Sequence, residues 1–174
     1  MAVPSREKVK DPVCLMLVEP DQHAIEYLGM HFAFCTPQCQ ERFLANPHAY
    51  IGTPGAKAPK QEGREIIKRR RLRLAEPLSE AAAHQVTEQL LAMMGVYAVE
   101  THGQELRITY DLLQATAEQV EATLLQAGTT LGGGWGEKLR RAFVHYIEET
   151  EVQNLEVRPG RGGHGRGGGT HHHG

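Results

Sequence analysis

The chain has 174 residues, of which 40% are hydrophobic and 23% are charged, and its formal net charge at pH 7 is -2. This apolar content excludes a wholly disordered chain, and the near-neutral charge argues against a dedicated nucleic-acid-binding protein, which is usually strongly basic. No apolar run approaches the roughly 18 residues of a membrane-spanning helix, and the first residues lack the apolar stretch of a secretory signal. We therefore expect one domain or two small ones in the cytoplasm.

All three cysteines lie in the segment 11–50, which we take as the first domain. Two short apolar runs, 25–28 and 31–34, flank Gly29, at the position where a tight hairpin needs a positive φ. An odd, small number of cysteines does not suggest a disulfide framework. The remaining roles for these cysteines are metal binding, reactive thiols or simple burial.

A short helix follows this hairpin. Thr36 is a good N-cap and Pro37 a good first helical residue. The helix should stop at Asn46, because the next residue is proline. Cys35 lies just before the helix and Cys39 in its first turn, so both sulfurs can face one point. The positive end of the helix dipole is expected to favour their thiolate forms.

Cys14 follows a rigid Asp-Pro-Val turn that can bring it over the hairpin. Three thiolates that converge at a helix start suit one thiophilic ion, Zn²⁺ or Cu⁺. A water, a nearby histidine or a partner's donor group would supply a fourth ligand, with His31 and His23 as weaker candidates. Three buried cysteines without metal, or a purely structural zinc, are the alternatives.

The same segment resembles the YHS domain, which belongs to the TRASH group of small metal-binding modules. The resemblance is carried by Asp11-Pro-Val-Cys14-Leu-Met16, Glu26-Tyr-Leu-Gly29, Phe32-Ala-Phe-Cys35, Cys39, Phe43 and Asn46-Pro-His-Ala-Tyr50. It implies a treble-clef, zinc-ribbon-like module that handles heavy metals, with Cys14, Cys35 and Cys39 as the ligands. Leu15 departs from the pattern, since the family usually has glycine there.

A linker, 51–64, rich in Gly, Pro and Lys, leads to a second predicted domain, 65–131. Its predicted elements are a strand at 67–74, a helix from Ser79 to Met94, strands at 96–99 and 105–110, a helix from Thr116 or Ala117 to Gly128, and a short strand at 129–131. The order βαββαβ is the ferredoxin-like arrangement. The overall expectation is an α+β protein.

This second domain resembles the heavy-metal-associated domain of copper chaperones and metal-pumping ATPases, through Gly95-Val96, the strand 106–111 and Gly128. The family's two metal-binding cysteines are replaced by Ser79 and Ala82, neither of which supplies a thiolate. We therefore do not transfer metal binding to it. The fold would serve for docking onto another such domain, or as a packing scaffold for the first module.

A basic run, Lys68 to Arg71 with Arg73, lies on the first strand of this domain. Alternation puts Arg70, Leu72 and Leu74 on one face and Arg69, Arg71 and Arg73 on the other. We interpret the run as a solvated strand face whose charge neighbouring acids cancel, and we therefore expect no nucleic-acid binding.

An amphipathic helix is predicted at 135–151, and a disordered Gly/His-rich tail at 158–174. The apolar stripe of the helix is Trp135, Leu139, Ala142/Phe143, Tyr146/Ile147 and Thr150. It is expected to pack on the sheet or to form a homodimer. His145 and Glu149 share a face of it and are a weak metal pair. The tail histidines His164, His171, His172 and His173 can bind a metal through neutral imidazoles, or the tail is a neutral or cloned extension.

The leading functional prediction is a metal-binding accessory protein, a chaperone, buffer or sequestering factor in metal trafficking or resistance, that acts beside a transporter or metal-responsive protein. The alternative is a protein-interaction module in which a zinc held by the three cysteines is purely structural, since about 40 residues have little core of their own. A thiol enzyme using Cys35 and Cys39 is a third possibility. We expect no enzyme, because no catalytic triad, CxxC motif or nucleotide-binding loop accompanies the cysteines.

Overall fold

The computed structural model of the chain describes residues 6–129, 132 and 135–156. Within 135–156, side chains are described for 141 and 144–156. The predicted tail 158–174, with its four histidines, and residues 130 and 131 of the predicted last strand lie outside this description. In the described part, four α-helices and seven strands form an α+β fold with antiparallel sheets.

The elements are, in chain order, β1 (Val9–Lys10), β2 (Leu17–Val18), β3 (Ile25–Tyr27), β4 (Met30–Phe32), α1 (Pro37–Ala45), a 3-10 turn (Pro47–Ala49), β5 (Ile67–Arg73), α2 (Glu80–Leu91), β6 (Val96–His102), β7 (Glu105–Asp111), α3 (Ala117–Gln126) and α4 (Trp135–Leu155).

The first segment consists of two small hairpins, β1–β2 and β3–β4, followed by α1. Tyr27 pairs with Met30 around a two-residue turn, in which Leu28 and Gly29 have φ of 51° and 74°. This confirms the predicted hairpin. Thr36 caps α1 by accepting a hydrogen bond from the backbone N–H of Cys39, and the helix ends at Ala45, as predicted.

The second segment is a three-stranded sheet in the order β5-β7-β6, with the helices α2 and α3 inserted along the chain. One face of the sheet is buried, through Leu72 of β5 and Leu106, Ile108 and Tyr110 of β7. The backbone N–H of Gly132 donates to the carbonyl of Arg73, 2.7 Å away, so the chain returns beside β5 after α3.

The helix α2 ends at Leu91, three residues before the predicted end. Gly95 then adopts a φ of 80°, and a Cβ at this position would lie 2.4 Å from Cβ of Gln114. The turn therefore needs glycine both for its backbone conformation and for the close approach of the loop after β7.

The cysteine-bearing segment and the sheet share one hydrophobic core. The hydroxyl of Tyr50 donates to the carbonyl of Leu113, 2.6 Å away. The side-chain amide of Gln38, on α1, donates to the carbonyls of Met94 and Gln114 at 2.8 and 2.9 Å. In the predicted linker, Ala58 is buried and the N–H of Lys60 donates to the carbonyl of Ala49 at 3.0 Å.

Part of the predicted apolar stripe of α4 is exposed. Tyr146 and Ile147, members of the predicted apolar stripe, are 69% and 40% exposed. Glu148 and Val152 are buried instead, and Val144 packs against the core. The prediction was wrong at these two positions because it selected apolar side chains, whereas one anchor of the helix is a carboxylate. The side chains of Trp135, Leu139, Ala142 and Phe143 lie outside the described residues. No described helix combines the length and apolarity needed to cross a membrane.

Candidate metal centre

Three chain segments bring the cysteine sulfurs together. Cys14 lies in the turn between β1 and β2, Cys35 follows β4, and Cys39 lies in the first turn of α1. The Sγ atom of Cys35 is 3.4 Å from that of Cys14 and 3.5 Å from that of Cys39. Sulfurs of a tetrahedral zinc site, each about 2.3 Å from the ion, lie about 3.8 Å apart. The cluster is therefore close to the size of a metal-thiolate site.

Asp11 joins this cluster as a fourth possible donor, since one carboxylate oxygen lies within 4.8 Å of the three sulfurs. Its Oδ1 atom accepts hydrogen bonds from the N–H groups of Val13, at 2.7 Å, and Cys14, at 3.3 Å. Its Oδ2 atom accepts one from the N–H of Cys35, at 2.8 Å. A carboxylate has about four acceptor positions, so one position on Oδ2 is left for an ion.

The sequence predicts Asp11 only as part of a rigid turn. The missed signal is that an aspartate at the start of a turn often accepts a hydrogen bond from the N–H two residues later, here that of Val13. Such a bond closes the turn. What no local pattern indicates is its third bond, to the N–H of Cys35, because that contact joins residues 24 positions apart.

The site has a buried side and an open side. Cys39 is completely buried and packs in the core beside Phe43, whereas Cys14 and Cys35 are half-buried. Phe43 in turn contacts the rings of Phe32, Phe34, Tyr27 and Tyr50. An ion bound here would rest on the aromatic core and be reached past Cys14 and Cys35.

The three thiols differ in acidity. A hydrogen bond from the Cys39 thiol lowers the pKa of Cys14 to about 7. Burial raises the pKa of Cys35 to about 12, and its hydrogen bond with Cys14 adds to the rise. The pKa of Cys39 is also raised, by its bond to Cys14 and by burial. The expectation that the helix dipole favours thiolates at Cys35 and Cys39 is thus wrong for the metal-free site.

The histidines predicted as weaker ligands do not reach the cluster where the structure describes them. His31 is exposed on β4, with its Nε2 atom hydrogen-bonded to the carbonyl of Pro20. His145 and Glu149, the weak metal pair predicted on α4, face different partners. The His145 ring lies 3.0 Å from the carboxylate of Glu121, while Glu149 binds Arg42. His164, His171, His172 and His173 lie outside the described residues.

Leu15 keeps the turn that presents Cys14, although it is not glycine. Its φ is 68°, in the left-handed region, and its side chain is 46% exposed. The N–H of Leu15 donates to the carbonyl of Asp11 at 2.9 Å, and the N–H of Asp11 donates to that of Met16 at 2.8 Å. The left-handed conformation costs leucine about 1–2 kcal/mol, which these two turn bonds offset.

Fold and site together define a small α+β protein with a Cys₃Asp cluster that could hold a metal ion. The family model of the YHS domain matches residues 9–53, so the segment that carries the cluster is a YHS domain. No curated protein and no solved structure matches the chain. The resemblance of the second segment to the heavy-metal-associated domain stays a prediction.

Proposed function

We propose that the chain is a metal-binding accessory protein for one thiophilic ion, Zn²⁺ or Cu⁺. It acts as a chaperone, buffer or sequestering factor in metal trafficking or resistance, and it binds metal rather than catalysing a reaction. The observation that carries the proposal is the Cys₃Asp cluster within a YHS domain. Thiolates select soft or borderline ions, and one carboxylate oxygen completes four donors.

The exposure of the cluster supports exchange of the ion with a partner. Two of its three thiols, Cys14 and Cys35, are half-buried, so a donor group of a partner can approach the ion on that side. A transporter or a metal-responsive protein is the kind of partner that such a carrier serves. In this proposal the buried Cys39 retains the ion while the two outer thiols exchange.

The second segment takes the role of a docking or packing domain in this proposal. The strand order β5-β7-β6 and the return of Gly132 to the side of β5 agree with a ferredoxin-like βαββαβ unit. At the position of a metal-binding cysteine, Ser79 accepts a hydrogen bond from the N–H of Ala82 and caps α2. Helix capping replaces metal binding at this loop.

The test is elemental analysis of tag-free protein purified without oxygen, followed by competition with chelators of graded affinity for Zn²⁺ and Cu⁺. We expect one ion per chain, removable while the fold persists. Each of the variants Cys14→Ser, Cys35→Ser and Cys39→Ser should weaken binding by orders of magnitude. His31→Ala is the matched control and should bind like the parent. Equal binding by all three cysteine variants would refute the proposal.

A second candidate is an interaction module with a purely structural zinc. The burial of Cys39 against the aromatic core favours it, because an ion there would hold the first segment together. Such a zinc would resist chelators until the chain unfolds. The same competition experiment therefore distinguishes the two candidates by whether metal leaves before or with the fold.

A further inference from the structure

The proposed function leaves the basic run 68–73 unused, and the structure divides its charges between the two sides of β5. The inward residues are each paired with a carboxylate of α4. Lys68 Nζ lies 2.7 Å from Glu151 Oε2, and Arg70 Nη2 lies 3.3 Å from Glu148 Oε1. The expectation that neighbouring acids cancel the charge of this run therefore holds on the inward side.

The outward side is different. Arg69, Arg71 and Arg73 are exposed and alternate along β5, about 6.6–6.8 Å apart. Arg71 lies directly opposite Arg107 of β7. One carboxylate serves both, since Glu105 Oε1 is 2.6 Å from Arg107 Nε and 3.8 Å from Arg71 Nε. In the described part of the chain no carboxylate lies within 4.0 Å of a side-chain nitrogen of Arg69.

Like charges placed directly opposite each other across two strands destabilise a sheet. Every inward basic residue of β5 is paired with a carboxylate, whereas the outward guanidinium groups lie next to one another. Positive charge is therefore kept on the outward face. Four arginines stand there against two carboxylates, those of Glu100 and Glu105. The face is a concentration of positive charge on a chain whose net charge is -2.

A depression lies among these arginines. Arg69 of β5 is in register with Thr109 of β7, which is in register with Ala98 of β6. Across the sheet, the long side chain of Arg69 is thus followed by the short side chains of Thr109 and Ala98. The depression has a volume of about 360 Å³, and Arg71 and Arg107 also line it. Guanidinium groups present paired N–H donors that match a carboxylate. The short side chains leave room for such a group between them.

We propose that this depression is a docking site for the carboxylate side chains of an acidic, extended segment of a partner protein. Side chains on one face of an extended segment repeat at about 6.8 Å, which matches the spacing of the outward arginines. A nucleic-acid strand fits less well. No aromatic side chain among the described lining residues offers a surface on which its bases could stack.

The test uses the metal-loaded full chain and a fluorescent peptide of about a dozen residues that alternates Glu and Thr, followed by anisotropy. We expect saturable binding at low salt that weakens as salt screens the charges. A peptide with Gln in place of Glu should not bind. A single-stranded oligonucleotide that binds while the acidic peptide does not would overturn the proposal in favour of nucleic acid, and binding of neither would overturn it outright.

Variants of the lining residues test whether the peptide binds in this depression. Arg69→Gln combined with Arg107→Gln should weaken peptide binding by up to about 30-fold, given up to about 1 kcal/mol for each exposed contact. Ala98→Leu, which fills the depression without changing the charge, should weaken it as well. Lys57→Gln combined with Arg64→Gln removes the same charge elsewhere and is the matched control. If the control loses as much affinity as the arginine pair, the attraction is general and the site is wrong.

Discussion

Asp11 organises the candidate centre at the scale of single residues. Its carboxylate is fully buried and accepts three backbone hydrogen bonds, two within its own turn and one from Cys35 across the site. These bonds fix the positions of Cys14 and Cys35 before any ion binds. Asp11 therefore determines how closely the two half-buried thiols approach.

We therefore predict that Asp11→Ala lowers metal affinity by about 10- to 100-fold, the usual effect of losing a group that orients ligands. It should also lower the free energy of unfolding of the metal-free protein by at least about 2 kcal/mol, because three N–H groups lose a charged acceptor. Chelator competition and urea unfolding measure the two effects. Asp21→Ala, at an exposed carboxylate, is the control. Parent-like metal affinity in Asp11→Ala would show that the three backbone hydrogen bonds of Asp11 do not matter for metal binding.

A second prediction concerns the order in which the thiols react. Because the pKa of Cys14 is lowered to about 7 and that of Cys35 is raised to about 12, Cys14 is the first thiolate of the metal-free protein. Only thiolates are strongly nucleophilic. Alkylation of Cys14 by iodoacetamide should rise with pH and level off above about pH 7, while Cys35 and Cys39 stay mostly unmodified up to pH 9.

Peptide mass spectrometry after short exposure at several pH values measures this order. In Cys14→Ser, total alkylation below pH 9 should fall to a small fraction of the parent value. Preferential labelling of Cys35 in the parent would contradict the prediction. Metal loading should protect all three thiols.

At the scale of elements, α4 is held by carboxylates. Glu148 is fully buried, accepts hydrogen bonds from Tyr110 and Arg70, and accepts a 2.8 Å bond from the N–H of Ala117 at the start of α3. The neighbouring Glu149 binds Arg42 of α1 at 2.7 Å. Consecutive residues of one helix thus contact the sheet and the YHS domain.

Glu148→Ala should therefore lower the free energy of unfolding by about 3–5 kcal/mol, because it leaves the buried Tyr110 hydroxyl and the Ala117 N–H without an acceptor and Arg70 without its partner. Glu151→Ala is the matched control, one turn along on the same helix. It removes a more exposed pair with Lys68 and should cost less than about 1 kcal/mol. Denaturant unfolding of both variants gives the comparison, and similar losses would show that Glu148 is not a special anchor.

The helix α4 also shows which features of the fold could not be predicted from the sequence. The caps of α1 and α2 at Thr36 and Ser79 were predicted, and so was the start of α3 at Thr116 or Ala117, because a cap is a contact within a few residues. The sulfur cluster was predicted from cysteine spacing and the start of α1. The burial of Glu148 in α4 was not predicted, because a glutamate is expected to face solvent until its three partners from other elements are known. Burial of a charge is a tertiary property, and no periodicity of apolar residues reports it.

At the scale of the whole molecule, the YHS domain and the sheet are joined by contacts close to the metal centre. Gln38 lies beside Cys39 in the first turn of α1 and binds the carbonyls of Met94 and Gln114. Tyr50 binds the carbonyl of Leu113. An ion that orders the start of α1 therefore also stabilises two loops at one end of the sheet.

We predict that metal removal speeds amide hydrogen exchange in α1 and also in the loops 93–95 and 112–114, which contact it. The turn at 103–104, at the other end of the β6–β7 hairpin, should be unchanged, since stability differs between regions of one fold. Hydrogen-exchange mass spectrometry of the loaded and metal-free chain measures this pattern. Gln38→Ala should weaken the response, most of all in the loop 93–95, while α1 still responds. It removes the bonds to Met94 and Gln114 but keeps the cysteines and the bond from Tyr50 to Leu113. A response confined to residues 9–53 in the parent would mean that the sheet does not sense the ion. Its function would then have to be sought in its own surfaces, such as the arginine face of β5.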